Sequence, residues 1–339
     1  MRSFLILAFA VITLLSFRQL GATTWYIKDD GTGDAVSIAA GITAATAGDT
    51  ILLAAGTFTE YDLQITDKPL VILSESGPDV TSVDCQSSGW GIRYYNNLMS
   101  TGYFEISGIT IANAQGWGIY AVSEQDIMLI ENNTITNAIF GIVTGNLASG
   151  QVTVNNNRVS GCSNNAIDPG GVAYIEVTNN EITSNGGNGI SSTATDFLID
   201  GNVITGNSIN GVDMAAASAS GTISNNVISD HHNFYTGIFI SGGDASFSIA
   251  NNVIFDNDLG ISMVLSGDTI DVVNNTIDQN GYGIYDLSSA GTSLATVSNN
   301  IVSNNSNAFV CVSVPAIVVS CNDIYGNISN TICGTDVHI

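Results

Sequence analysis

The 339-residue chain carries 30 acidic and 6 basic residues, a formal net charge of −24, with 45% hydrophobic residues, 36 Gly and only 4 Pro. A chain this apolar and this sparsely charged is not disordered. Its acidity excludes direct nucleic-acid binding, disfavours anionic membrane surfaces, and repels acidic polysaccharides unless a cation bridges the two.

In chain order, Arg2, the apolar run 4–17 and the small pair Gly21-Ala22 predict a cleaved secretory leader over residues 1–22. The run is short for a membrane span of ~20 residues, and no later segment is long and apolar enough to cross. The mature chain, 23–339, is expected to be a single monomeric domain that is secreted, periplasmic or at the cell surface. Residues 36–47 read as a helix with Asp34 as its cap. Of the five cysteines, Cys85 and Cys162 stand apart, whereas Cys311, Cys321 and Cys333 cluster late in the chain. Export permits one disulfide among those three, and the spacing does not say which pair.

From residue 132 onward an Asn pair followed by Ile or Val recurs: Asn132-Asn133, Asn156-Asn157, Asn179-Asn180, Asn225-Asn226, Asn251-Asn252, Asn274-Asn275 and Asn299-Asn300. Degenerate copies stand at Gly201-Asn202 and Cys321-Asn322. The second Asn therefore steps by 24, 23, 22, 24, 26, 23, 25 and 22 residues. A period of that length is one coil of a stacked solenoid. Three residues before the second Asn is always Ile or Val, and so is the residue two after it, at Ile135 through Ile324. β-branched side chains at alternate positions suit a strand buried on one face. The Asn pair marks the turn between two strands, where Asn tolerates the left-handed conformation and stacked amides can bond from coil to coil. A second Asn column follows five residues later, at Asn185, Asn207, Asn257, Asn280, Asn305 and Asn327. A small residue before an apolar one, from Gly118-Ile119 to Ala308-Phe309, supplies the third strand. The fold class is therefore all-β, a right-handed parallel β-helix of three-strand coils. It has about 23 residues per coil, 10–12 coils, regular repeats over about 104–328, and a short N-terminal capping helix.

The segments Trp25-Tyr26-Ile27-Lys28-Asp29-Asp30-Gly31-Thr32-Gly33-Asp34, Gly48-Asp49-Thr50-Ile51-Leu52-Leu53 and Gly56-Thr57-Phe58-Thr59-Glu60 resemble the opening of pectate-lyase-like right-handed β-helix proteins. The repeats after Gly108 resemble the coils of that superfamily. The resemblance implies the fold strongly and the function weakly, because members include lyases, esterases, epimerases and sugar-binding proteins. A pectate-lyase-type site implies Ca²⁺ held by Asp residues and an arginine acting as base. The mature chain offers only Arg93 and Arg158, the latter in a turn beside an Asn pair. The Gly-His-Gly segment of polygalacturonases and the Gln-Asp and Asp-Phe motifs of pectin methylesterases are missing. Ala166-Ile167-Asp168-Pro169-Gly170 matches only the middle of the epimerase motif Tyr-Gly-x-Asp-Pro-His, so Asp168 reads as a turn residue.

One coil breaks the period. The 26-residue step comes from an insert at residues 230–235 that holds Asp230, His231, His232 and Tyr235. Inserts on one face of a solenoid often carry function. Taken as one column of carboxylates ~5 Å apart, Asp230, Asp256 and Asp278 raise a pKa or recruit a cation, for which calcium is the expected ion. Asp230, His231 or His232, and Tyr235 are then the candidate catalytic residues, with Asp256, Asp258 and Asp278 binding. The same residues also suit an ordinary exposed turn. A second acidic set, Asp126, Asp196, Asp244 and Asp268, reads as solvation of a sheet edge. The partner expected is a polysaccharide or cell-surface glycan, bound without an identifiable catalytic set. The alternatives are a polysaccharide lyase or epimerase of the pectate-lyase type and a purely structural surface protein.

Overall fold

Alternation of buried and outward side chains along each strand builds three parallel sheets that share one core. In the computed structural model the described residues are 21–98, 101–145, 150–215, 219–243, 246–264, 266–267, 269–288, 294–311, 316–330 and 337–338. The expected leader lies outside them apart from residues 21 and 22. Sheet A has 14 strands, sheet B 12 and sheet C 11, and each strand pairs with its counterparts one coil before and after. The columns foreseen from the repeat are in register. Ile130 pairs with Val154 and then Val177 in sheet A, Ile135 with Val159 and Ile182 in sheet B, and Ile119 with Ile142 and Ile167 in sheet C. These side chains point inward and form a single cluster that runs from Ile27 to Val319.

The Asn pair divides its labour at the turn between sheets A and B. The first Asn takes the left-handed conformation, with φ between 52° and 59° at all seven full copies. The second is buried and forms the ladder. Asn202 Oδ1 accepts from both the backbone N–H and the Nδ2 of Asn180, each at 2.9 Å, while Asn202 Nδ2 donates to Val177 O at 2.8 Å and to Asn226 Oδ1 at 2.9 Å. The core strand thus delivers its orphan carbonyl to a side chain of the following coil, which satisfies a buried group no sheet bond reaches. The small residue that opens each sheet C strand is also explained. A Cβ on Gly141 would lie 2.3 Å from Ala166 O of the next coil.

The N-terminal helix is shorter than the sequence predicts and capped differently. It spans Ile38–Ala44, with Ser37 as N-cap. Glu60, not Asp34, serves its first turn: the two Glu60 oxygens accept from the N–H groups of Ile38 and Ala39 at 2.8 and 3.0 Å. Asp34 instead accepts from Tyr26 N–H at 2.8 Å, closing the first strand. A carboxylate over free N–H groups is favoured at this end of the helix. At the other end Lys68 Nζ donates to the carbonyls of Ile42 and Ala45. Ile38, Gly41 and Ile42 are buried, and Gly41 packs on Ile27 and Ile51, so the helix covers the end of the core. Cys311 is disulfide-bonded, Cys321 is free, and Cys333 lies outside the described residues.

Candidate functional site

The interrupted coil separates its two histidines. His231 stands five residues after Asn226 and fills the vacant place in the second Asn column. Its ring is buried: Asn207 Nδ2 donates to Nε2 at 3.3 Å, so the proton sits on Nδ1 and is donated to Asn257 Oδ1 at 2.8 Å. Burial pushes its pKa down to about 4, against weaker support from Asn257 and Asp230. Both ring nitrogens are used by the ladder, so His231 offers nothing to a surface ligand. His232 faces solvent. Its Nε2 lies 2.9 Å from Asp230 Oδ1 and its Nδ1 3.6 Å from Asp258 Oδ1. Ligand atoms of Asp230, His232 and Asp256 all fall within 4.8 Å of one another.

Asp278 does not join them. It pairs with Phe255, not Asp256, because the step from 256 to 278 is one residue shorter than the 23-residue coil step. Its carboxylate is held by Ser303 Oγ at 2.6 Å, Asn304 Nδ2 at 2.8 Å and Gln279 Nε2 at 2.8 Å. Burial acts against the charged form, yet these three hydrogen bonds together hold the carboxyl below its usual range. The ring that the insert projects is also not the one foreseen. Asn233 and Phe234 take consecutive left-handed conformations, Phe234 N–H bonds Asp258 Oδ2, and the Phe234 side chain is 87% exposed. Tyr235 is half-buried and its carbonyl accepts from Leu259 N–H at 3.1 Å.

A second assembly, on the outer face of sheet C, was not foreseen. In strand Ile92–Asn96 the inward residues are Ile92, Tyr94 and Asn96, so Arg93 and Tyr95 point out. Arg93 pairs in register with Tyr120, Tyr120 with Val143, and Val143 with Asp168; further along, Ser191 pairs with Asp213 and Asp213 with Phe239. At the N-terminal end of this strip three rings surround one cation. Trp90 and Trp117 have centroids 6.1 Å apart, Trp117 and Tyr120 4.6 Å apart, and the Arg93 guanidinium lies 5.4 Å from the Trp90 ring and 5.7 Å from that of Tyr120. Such contacts fix a guanidinium by cation–π attraction. In mid-strip Asn165 Nδ2 donates to Asp168 at 3.0 Å and Asn210 Nδ2 to Asp213 at 3.2 Å. These amides belong to a third ladder, in which Asn165 Oδ1 accepts Asn188 N–H and Asn188 Oδ1 accepts Asn210 N–H, both at 2.9 Å. Burial raises the pKa of both Asp168 and Asp213, with the Asn bonds opposing it. Asp168 is thus a strand residue of a surface strip rather than a turn residue. The two carboxyls stand two strand spacings apart, about 10 Å.

The remaining candidates are structural. Arg158 is paired with Glu181 at 3.4 Å and Asp79 at 4.0 Å, beside a shallow groove lined by Asn132, Asn156 and Asn179. Asp126 is fully buried rather than at a solvated edge. It accepts from Tyr94 Oη, from Asn96 Nδ2 at 2.8 Å and from Gly102 N–H at 2.6 Å. Asp196 is exposed and bonded by Ser220, while Asp244 and Asp268 lie outside the described residues. Cys85 and Cys162 are buried, and desolvation pushes both thiols up to about 11, which removes them as nucleophiles.

The family model described as periplasmic copper-binding protein (NosD) matches residues 44–217, just over half of the chain, and that described as right handed beta helix region matches residues 167–327. The chain belongs to the right-handed β-helix proteins of the NosD family. Solved structures similar to this NosD-family chain share its fold. They include the mannuronan C-5 epimerase AlgE4 A-module of Azotobacter vinelandii, at 16% identity and a TM-score of 0.52, covering 84% of this chain and 89% of that one. The periplasmic alginate epimerase AlgG matches at 15% identity and 0.57, covering 82% and 77%. The GH87 alpha-1,3-glucanase catalytic unit from Streptomyces thermodiastaticus matches at 12% identity and 0.53, covering 92% and 69%. No curated protein matches the chain. The stretch matched by the NosD model does not fit copper. It contains no histidine, and among its described residues the sulfur groups, Cys85, Cys162, Met128 and Met214, are all buried in the core, while Met99 lies outside the described residues. Copper is held by imidazole and sulfur groups that can reach it. Among the described residues the one grouping of three potential ligands is Asp230, His232 and Asp256, outside that stretch.

Proposed function

We propose that this NosD-family chain is a periplasmic or cell-surface protein that binds polysaccharide along the outer face of sheet C. The observation that carries the reading is the Trp90–Arg93–Trp117–Tyr120 cluster, half-buried yet facing outward. Aromatic faces take the C–H faces of a sugar ring at little entropic cost. The half-buried carboxyls and amides of Asp168, Asp213, Asn165 and Asn210 can bond its hydroxyls. From Arg93 to Tyr285 the strip crosses eight strand spacings, about 40 Å, room for several sugar residues. No helix among the described residues is long and apolar enough to cross a membrane, and the family description is periplasmic. Affinity electrophoresis of residues 23–339 against soluble polysaccharides tests the reading. Retardation by at least one polymer is expected, and Trp117→Ala should weaken it about tenfold, the loss of ~1.4 kcal/mol of contact. Migration unaffected by every polymer would sink it. Cleavage or epimerisation of a bound polymer is the alternative, and Asp168 and Asp213 are the acids it would use. Product analysis in the same incubations decides that point.

A separate reading concerns the insert. Asp230, His232 and Asp256 supply one imidazole and two carboxylates, a donor set that suits Zn²⁺ better than Ca²⁺, which prefers oxygen alone. Binding to the folded state alone raises the melting temperature. Zn²⁺ is therefore expected to raise Tm in the native chain and not in His232→Ala. Stabilisation by Ca²⁺ and not by Zn²⁺ would return the assignment to calcium.

A further inference from the structure

We propose that Arg93 and the rings around it form a subsite for a sugar bearing an oxyanion, and that the polymer carrying it is only sparsely charged. This rests on the reading of sheet C as a polysaccharide-binding face.

The chain has 30 acidic residues, and beyond the expected leader only Lys28, Lys68, Arg93 and Arg158 are basic. Three of these four have evident tasks. Arg158 is paired with carboxylates, Lys68 caps the helix, and Lys28 lies over the Tyr26 ring. Arg93 has no carboxylate within ion-pair distance among the described residues, although acids abound. Asp62, on the preceding coil, spends its Oδ1 on Trp90 N–H at 2.9 Å. Two donors within the cluster, Arg93 Nε and Trp90 Nε1, are buried with no acceptor among the described residues. The cluster is therefore rich in donors and lacks an acceptor, on an outward face.

A guanidinium held in this way binds an oxyanion in a charge-assisted, two-pronged pair. A bare anion would satisfy Arg93 but leave the rings unused, whereas a neutral sugar would use the rings and leave the charge unmet. An acidic sugar does both. The rest of the strip limits how much charge the ligand can carry. No Lys or Arg follows Arg158, and Asp168 lies three strand spacings from Arg93, about 14 Å. A densely charged polyanion seated on Arg93 would lay its next acidic groups over Asp168 and Asp213. The fit is to a mainly neutral glycan with an acidic end or widely spaced acidic residues.

Tryptophan fluorescence titrations of residues 23–339 test this with methyl glucuronide, glucose 6-sulfate, methyl glucoside and polygalacturonate. Methyl glucuronide or the sulfate is expected to bind about tenfold more tightly than methyl glucoside, as one charge-assisted pair provides. The stronger of the two identifies the oxyanion. That preference should shrink as salt is added. Arg93→Met should bring the acidic sugars down to the affinity of the glucoside, and Arg93→Lys should restore part of the preference. Trp117→Ala should weaken all the monosaccharides, and per sugar residue polygalacturonate should bind more weakly than methyl glucuronide. Equal affinity for acidic and neutral sugars, or an unchanged preference in Arg93→Met, overturns the subsite and leaves the polysaccharide reading standing. Binding by none of the sugars overturns both. If Arg93→Met does not fold, the salt dependence of the native chain and the Lys variant decide.

Discussion

Asn202→Ala is expected to destabilise the protein by about 3–5 kcal/mol, measured as a shift of the urea unfolding midpoint. The side chain is buried, and its loss leaves the Asn180 N–H without an acceptor and removes the donor to Val177 O. Each buried group left unpaired costs about 1–3 kcal/mol, and the cavity adds to that. The first Asn of a pair is a different matter. Asn225→Gly should stay within about 1 kcal/mol, because φ at that position is 56° and Gly adopts it freely. Equal losses in the two variants would show that the ladder is not what binds coil to coil.

The second large effect is pH-dependent. His231 is neutral in the fold, with its pKa lowered from 6.5 to about 4, whereas in the unfolded chain it titrates near 6.5. Between those values the unfolded state binds the extra proton. The ring's contribution is therefore complete above about pH 6.5 and is lost as pH falls towards 4, by about 3 kcal/mol in all. Protonation would also turn Nε2 into a donor facing the Asn207 amide, itself a donor. Asn at 231 restores the column and does not titrate. Chemical denaturation of native protein and His231→Asn across pH 4–7 should show the stability gap widening in favour of the variant as pH falls. Parallel curves would refute the assignment of the acid loss to this ring.

That histidine marks where sequence reasoning reached its limit. The coils, their register and the amide ladder are legible because one residue type recurs at nearly constant spacing, and few side chains can both accept from one coil and donate to the next. The vacancy at 231 in the second column was equally present in the spacing. The pairing of two histidines in an insert obscured it, because His reads as chemistry before it reads as a replacement for Asn. Asp278 shows the converse error: a 22-residue step looks like a coil, but one residue of slip moves a carboxylate out of its column. The sheet C strip lay beyond reach for another reason. Trp90, Arg93 and Trp117 precede the first Asn pair, and Ile92 to Ile119 is a step of 27 residues against 23 for the next. Without the Asn pair nothing in the sequence sets the phase that stacks Arg93 on Tyr120.

The ladder also has a direction. In the first column every Nδ2 points to the Oδ1 of the following coil, from Asn133 to Asn322, except where Asn322 ends on backbone carbonyls. The second column runs the same way, and His231 keeps its sense by carrying the proton on Nδ1. Amide dipoles aligned head to tail sum as those of a helix do. The rod is therefore electrically polar, positive towards its C-terminal coils, which are also the coils without a single Lys or Arg. The field of the amides and the charge of the carboxylates oppose each other along one axis. No amide in the column can turn over, alone or together, because each Oδ1 also accepts a backbone N–H and each Nδ2 also donates to a backbone carbonyl, so the main chain fixes the polarity of the whole stack.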